Sequence, residues 1–185
     1  MIVVDEYIIN VKTSVILNKY DESGALCSLA IEGEKIYKVK ASPLTIVDSS
    51  IQYYGSSLQG AIKGARNALG QISMPPVKIS GKLGIYWFPS KSITHGDCIW
   101  FSIDHIDDYY SLGNKVLKVI LSDGNDITID ISYDRFEKKV SRARKLKYII
   151  ENRTNGKQPY PYLQMKNFQI VRDPARRHYS VNSGE

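Results

Sequence analysis

Cysteine is nearly absent: Cys27 and Cys98 are the only two. Both lie in apolar, strand-like runs with no CxxC pair, which points to reduced buried thiols rather than a disulfide framework or a zinc site. No stretch approaches the ~18 apolar residues of a membrane span, and the first residues lack the charged, apolar and small-residue order of a signal peptide. A cytoplasmic location with no membrane partner is expected. Histidine is also scarce, and His95 and His105, taken with Cys98, match no familiar zinc spacing, so neither a metal nor a cofactor is expected.

What is present reads as one folded domain. With 185 residues, 43% of them hydrophobic, the chain is long enough to bury a core and too apolar for general disorder. Its charge is uneven. Up to Gly60 there are 5 Lys and Arg against 7 Asp and Glu, whereas the remainder holds 20 against 12, for a net +6 overall. An acidic partner would meet the latter part, since a basic balance argues for affinity to polyanions although not for any fold.

The stretch from Ser42 to Pro76 changes period and contains a sharp turn. Pro43 suits a first helical turn, and Leu44, Val47, Ile51 and Tyr54 recur at helical spacing until Gly55 provides a left-handed stop. Ser56 or Ser57 then caps a second helix, whose apolar face is Leu58, Ile62, Ala65 and Leu69, closed by Gly70. Gly60 and Gly64 inside it are poor helix formers, which suggests a close neighbour. That neighbour is either another helix or strand, or a nucleic-acid backbone, for which Ser56, Ser57, Lys63 and Arg66 would be suitable partners.

Strands flank this unit. Ser14 to Tyr20, Ala25 to Ile31 and Lys35 to Lys40 precede it, the first two joined by the turn cluster Asp21-Glu22-Ser23-Gly24. Period two places Cys27, Leu29 and Ile31 on the inward face. Val77 to Ser80, Leu83 to Phe88 and Cys98 to Ile103 follow, with Trp87, Phe88 and Trp100 as core candidates. Val116 to Leu121 and Asp126 to Ile131 then form a hairpin about Ser122-Asp123-Gly124-Asn125. Asp126 and Asp130 on its polar face could hold a divalent ion in a nuclease, but strand alternation alone explains them.

A long helix runs from Tyr133 to about Asn152. Ser132 is its cap, Ile131 and Phe136 a hydrophobic staple, and Phe136, Val140, Ala143, Leu146 and Ile150 its buried stripe. Arg135, Lys138, Arg142, Lys145 and Arg153 gather on a separate face, while Lys139 and Lys147 sit at the apolar edge and must reach outward. This is the strongest basic surface in the sequence and the first candidate for phosphate contact. Beyond it, residues 155–185 read as an extended arm after a globular domain of residues 1–154. Tyr160, Tyr162, Leu163 and Phe168 are candidates for docking, and Arg172, Arg176 and Arg177 for groove entry.

Several of these features form an ordered set. Residues 43–48 (PLTIVD), a serine, then Tyr53-Tyr54-Gly55-Ser56-Ser57, Ile72-Ser73, Pro75-Pro76, Phe88-Pro89 and residues 131–137 (ISYDRFE) together resemble the competence transcription factor ComK family. The resemblance implies a cytoplasmic transcriptional activator controlling competence for DNA uptake. Such a protein binds double-stranded AT-rich promoter DNA, largely through the minor groove, as a homo-oligomer, and can meet an adaptor of a regulatory protease. Ser49 and Gln52 are neutral where members of that family often carry basic residues. The fold expected is α+β, with antiparallel strand groups around the two-helix unit, a basic C-terminal helix and a tail. The function expected is DNA binding without enzymatic activity. Its alternative is a protein-interaction regulator of the same fold with weak or lost DNA binding.

Overall fold

The computed structural model describes residues 1–21, 23–156, 168–173 and 178–183. It is an α+β arrangement in which both expected strand groups join one seven-stranded sheet. In chain order the strands of that sheet are β1 (Ile2–Val4), β2 (Thr13–Tyr20), β3 (Leu26–Glu32), β4 (Lys35–Val39), β5 (Val77–Ser80), β6 (Ile85–Pro89) and β7 (Trp100–Ser102). Their spatial order is β1-β4-β3-β2-β7-β6-β5. The join is the antiparallel pair β2 and β7, with Ile16 opposite Trp100. β1, which has too few residues to show a period, runs parallel to β4 and makes the sheet mixed. The β2–β3 turn forms because Asp21 Oδ1 accepts from the NH groups of Ser23 and Ala25, each at 2.9 Å.

Two apolar layers cover the sheet, and period two sorts neighbouring residues between them. Val15, Tyr86, Phe88 and Phe101 belong to one layer, with Phe136, Val140, Ala143 and Leu146. Ile16, Ile85, Trp87 and Trp100 belong to the other, with Ile46, Val47 and Ile51. Coverage on both sides corrects the expectation for β3: Ser28 and Ala30 are as inaccessible as Cys27, while Leu29 is only half-buried. Serine and alanine are small enough to pass as an outward face in the sequence, yet they suit a strand with a layer on either side.

Helices α1 (Pro43–Tyr53) and α2 (Leu58–Leu69) form the two-helix unit. Ser42 caps the first by accepting from Thr45 NH at 3.1 Å, and Ser57 caps the second by accepting from Gly60 NH at 3.1 Å. Between them Gly55 has φ +79°, the left-handed region that glycine enters at little cost. Buried Ser50 donates to Ile46 O at 2.6 Å and accepts from Ile9 NH at 2.9 Å, which ties the N-terminal segment to α1. α2 serves both layers: Ala61 and Ile62 pack with the α1 side, Ala65 and Ala68 with the other. Among the described residues no close neighbour explains its glycines, because a methyl group on Gly64 would meet nothing within 4 Å and one on Gly60 only Ser57 Oγ, at 3.0 Å.

A second, antiparallel sheet contains β8 (Ile106–Gly113), β9 (Val116–Leu121) and β10 (Asp126–Asp130) in the order β10-β9-β8. The β9–β10 hairpin is the one expected, with Ile127 opposite Val119. β8 was not legible, because it is an outer strand with Ile106 its one buried residue and Asp107 and Asp108 exposed. From β10 the chain enters α3 (Tyr133–Thr154) almost at once. Ser132 occupies the cap position of α3 without a capping bond from its side chain, contrary to expectation; its carbonyl oxygen accepts from Arg135 and Phe136 NH instead. Within residues 155–185, expected as an extended arm, β11 (Phe168–Asp173) pairs antiparallel with β12 (His178–Ser183). Tyr160, Tyr162, Leu163, Arg176 and Arg177 lie outside the described residues. Among the described residues no helix is long and apolar enough to cross a membrane.

Candidate nucleic-acid interface

The first half of α3 forms one wall of an open cleft of about 440 Å³. Phe136 anchors that wall. Its ring lies 5.6 Å from Phe88, 5.5 Å from Phe101 and 5.1 Å from Tyr109, edge-on to all three, and it is fully buried. With Phe136 and Val140 turned into the core, helical geometry directs the side chains of Arg135, Lys138, Lys139 and Arg142 into the cleft. The remaining lining comes from Ser90, Lys91 and Ser92 after β6, Lys115 at the β8–β9 turn, Asp130, Ile131 and Ser132 at the entry to α3, and Met74. Among the described residues six cations thus face one carboxylate, Asp130, in a space of the size that takes in a small ligand or part of a larger one.

The six cations differ in how they are held. Lys91 is bonded to Asp97, which lies below the usual carboxylate range chiefly because of that bond and also faces His95. Among the described residues Lys115, Arg135, Lys138, Lys139 and Arg142 form no ion pair, which leaves Asp130 as the one carboxylate lining the cleft with them. Lys139 is half-buried, and burial pulls its ammonium below the ordinary lysine value; the neighbouring Cys98 opposes this and Arg142 adds to it. An anion entering the cleft would restore what burial removes from Lys139.

The other expected contact residues do not join this cleft. Lys145 is exposed on α3 beyond it. Ser56 borders a smaller groove of about 90 Å³ with Gly60, Gly64, Lys78, Leu146 and Ile150. The Ser57 hydroxyl is engaged in capping α2. Lys63 is exposed, and Arg66 donates from Nε to Ile72 O at 3.3 Å, which steadies the loop after α2. Lys147 is a structural cation, 2.5 Å from Asp104 and 6.0 Å above the Tyr86 ring.

Nor do the residues considered for a metal come together. His105 makes hydrogen bonds with Ser122 at 2.8 Å and Val11 O at 2.9 Å, one through each ring nitrogen. Asp126 pairs with Lys118 at 3.1 Å, while Asp130 faces the cleft. Among the described residues no three His, Cys, Asp or Glu side chains cluster as a metal site would need. On α1, Ser49 and Gln52 are both exposed; Gln52 donates to Asp48 at 2.9 Å, and Ser49 borders a hollow that Asp5 and Glu6 also line. That face carries hydroxyl and amide donors beside two carboxylates and no lysine or arginine among the residues lining the hollow.

The ComK protein family model matches residues 4–155, which include both helical units, the whole cleft and both sheets except the first two residues of β1. The chain belongs to the ComK family. A relative from Bacillus subtilis (strain 168), a competence transcription factor, is 29% identical over 155 residues, covering 84% of this chain and 80% of its own length. No solved structure matches. The cleft residues that sequence reasoning missed, Lys91 and Lys115, lie in loops with no periodicity. The signal available for Lys115 was Gly113-Asn114-Lys115 between two strand-like runs, a short hairpin turn once β8 is read as a strand.

Proposed function

We propose that this ComK family chain is a transcriptional activator in the control of competence, binding AT-rich promoter DNA as a homo-oligomer. The observation that carries this reading is the cleft of α3, where one helix presents four cations against one carboxylate. Each cation that meets a phosphate releases condensed counterions, which supplies affinity and position but no sequence information. Selectivity for AT-rich sites follows from their narrow minor groove, whose enhanced negative potential attracts inserted cationic side chains. The name of the Bacillus subtilis relative supports the regulatory part of the reading. Binding to the adaptor of a regulatory protease remains part of the same proposal through the family resemblance.

A salt titration tests it. Replacing Arg135, Lys138 and Arg142 together by Ala should flatten the double-logarithmic slope of affinity against salt by about 2 to 3 on an AT-rich duplex. The GC-rich duplex should bind more weakly at every salt concentration. An unchanged slope in a folded triple variant would remove α3 from the interface. A second reading, a protein-interaction regulator with weak DNA affinity, draws on the neutral Ser49 and Gln52 of α1, Ser49 lining a hollow with Asp5 and Glu6. Equal, salt-insensitive affinity for both duplexes would favour it.

A further inference from the structure

The turn opposite α3 contains a conformational oddity. Gly113 pairs with Val116, so β8 and β9 are joined by two residues alone, Asn114 and Lys115. Both have positive φ, 45° and 64°, as a type I′ hairpin turn requires. Asparagine tolerates the first position well. The second is where glycine is preferred, because a left-handed backbone strains any residue with a side chain. Lysine stands there instead, exposed, lining the cleft and without an ion pair among the described residues. Non-glycine residues held in such conformations gather at functional sites, where what the side chain does offsets the strain.

We propose that Lys115 is a DNA-contacting residue that grips a backbone phosphate from the hairpin side of the cleft while Arg135, Lys138, Lys139 and Arg142 engage the backbone from α3. The duplex backbone would then be held between two elements of the fold rather than laid across one helix. Two attachment points fix a phosphate in direction as well as position, which sets the angle at which the protein meets the groove. The turn is suited to this, since a two-residue loop between paired strands is short and fixes where the Lys115 stem begins. Asp130, exposed opposite Val116 beside the turn and lining the same cleft, disfavours a phosphate on its own side.

The proposal rests on the DNA-binding reading, and its test separates the two. The full chain, its Lys115→Gly and Lys115→Arg variants and the Arg135/Lys138/Arg142 triple alanine variant are titrated with an AT-rich duplex over a range of salt. Unfolding midpoints are measured on the same preparations. Lys115→Gly relieves the backbone, so its midpoint should equal or exceed that of the parent, whereas its salt slope should be shallower by about 0.9, one phosphate contact. Lys115→Arg keeps the charge and should keep the slope. If Lys115→Gly binds with the parental slope and affinity while the triple variant is weakened, Lys115 is off the interface and the proposal fails alone. If the parent shows no salt-dependent binding, the proposal and the reading beneath it both fail. A lower midpoint for Lys115→Gly would overturn the strain argument, because lysine would then be the better residue for the turn.

Discussion

Phe136→Ala is the perturbation that probes the fold and the interface together. Phe136 is fully buried and contacts three rings at 5.1 to 5.6 Å, two of them on adjacent strands of the large sheet, Phe88 and Phe101. Truncating a core phenylalanine costs about 3 to 5 kcal/mol, and the figure depends on how far the surroundings collapse into the void. Phe88 and Phe101 are held in register by the β6–β7 pair and cannot follow, so the upper part of that range, about 4 to 5 kcal/mol, is expected. With a denaturant slope of about 2 to 3 kcal/mol per molar in urea, the midpoint should fall by roughly 1.3 to 2.5 M. Phe136→Leu keeps most of the volume and loses chiefly the edge contacts, so about 1.5 kcal/mol is expected, the upper end for a volume-conserving change.

The assay has an internal control. Trp87 and Trp100 pack in the opposite layer, with α1, and share no apolar cluster with Phe136. Tryptophan fluorescence therefore reports the far side of the sheet, while far-UV circular dichroism is weighted toward α3, the longest helix. Because β6 and β7 contribute side chains to both layers, the two probes should shift together in the alanine variant. A loss below ~2 kcal/mol would contradict the packing described for Phe136. A tryptophan transition that stays in place while the helical signal moves would mean that α3 detaches independently, and the basic cleft would then be a dynamic surface.

Three other outcomes are expected. Ser57→Ala removes the cap on α2 and should lower stability by about 1 kcal/mol, measured by urea unfolding, with duplex affinity unchanged in the folded protein. Gly64→Ala adds a methyl group to open space within a helix and should raise stability by about 1 kcal/mol in the same assay; a loss of affinity at raised stability would instead place a partner in the groove with Lys78. Lys139 should make binding depend on pH. Its folded value lies below the unfolded one, so between the two the free protein gains stability as pH rises; a bound phosphate favours the charged form and takes up a proton. Affinity measured from neutral to alkaline pH at fixed ionic strength should thus decline earlier in the parent than in Lys139→Arg, and coincident profiles would count against an anion beside Lys139.

Local patterns foresaw local structure well. The helix starts at Pro43 and Leu58, the left-handed Gly55, the strand Val77–Ser80 and the β9–β10 hairpin all stand where period, cap and turn chemistry put them. The pairing of β2 with β7 was beyond such reasoning, because it joins segments about eighty residues apart through backbone bonds that leave no mark on composition. The same distinction governs the site. Arg135, Lys138 and Arg142 were legible because one helical face collects them, Lys139 stood at the apolar edge from which it had to reach outward, and all four line the cleft. Ser56, Ser57, Lys63 and Arg66 were grouped by their nearness to one helix start; all four are exposed and outside the α3 cleft, with Ser57 capping α2 and Arg66 donating to a loop carbonyl.

Lys115 marks where that kind of reasoning stops. Its place in the cleft depends on β8 pairing with β9 and on β10 delivering α3 beside the same turn, a juxtaposition of tertiary origin. Yet the residue carries a local signature, a lysine where a two-residue hairpin asks for glycine. A position that departs from its own turn chemistry and opens into a cleft of mainly positive charge has two independent reasons for attention, one from the backbone and one from electrostatics. Their coincidence at Lys115 distinguishes it from Lys63 and Lys145, which are exposed on regular helices where lysine meets no conformational objection.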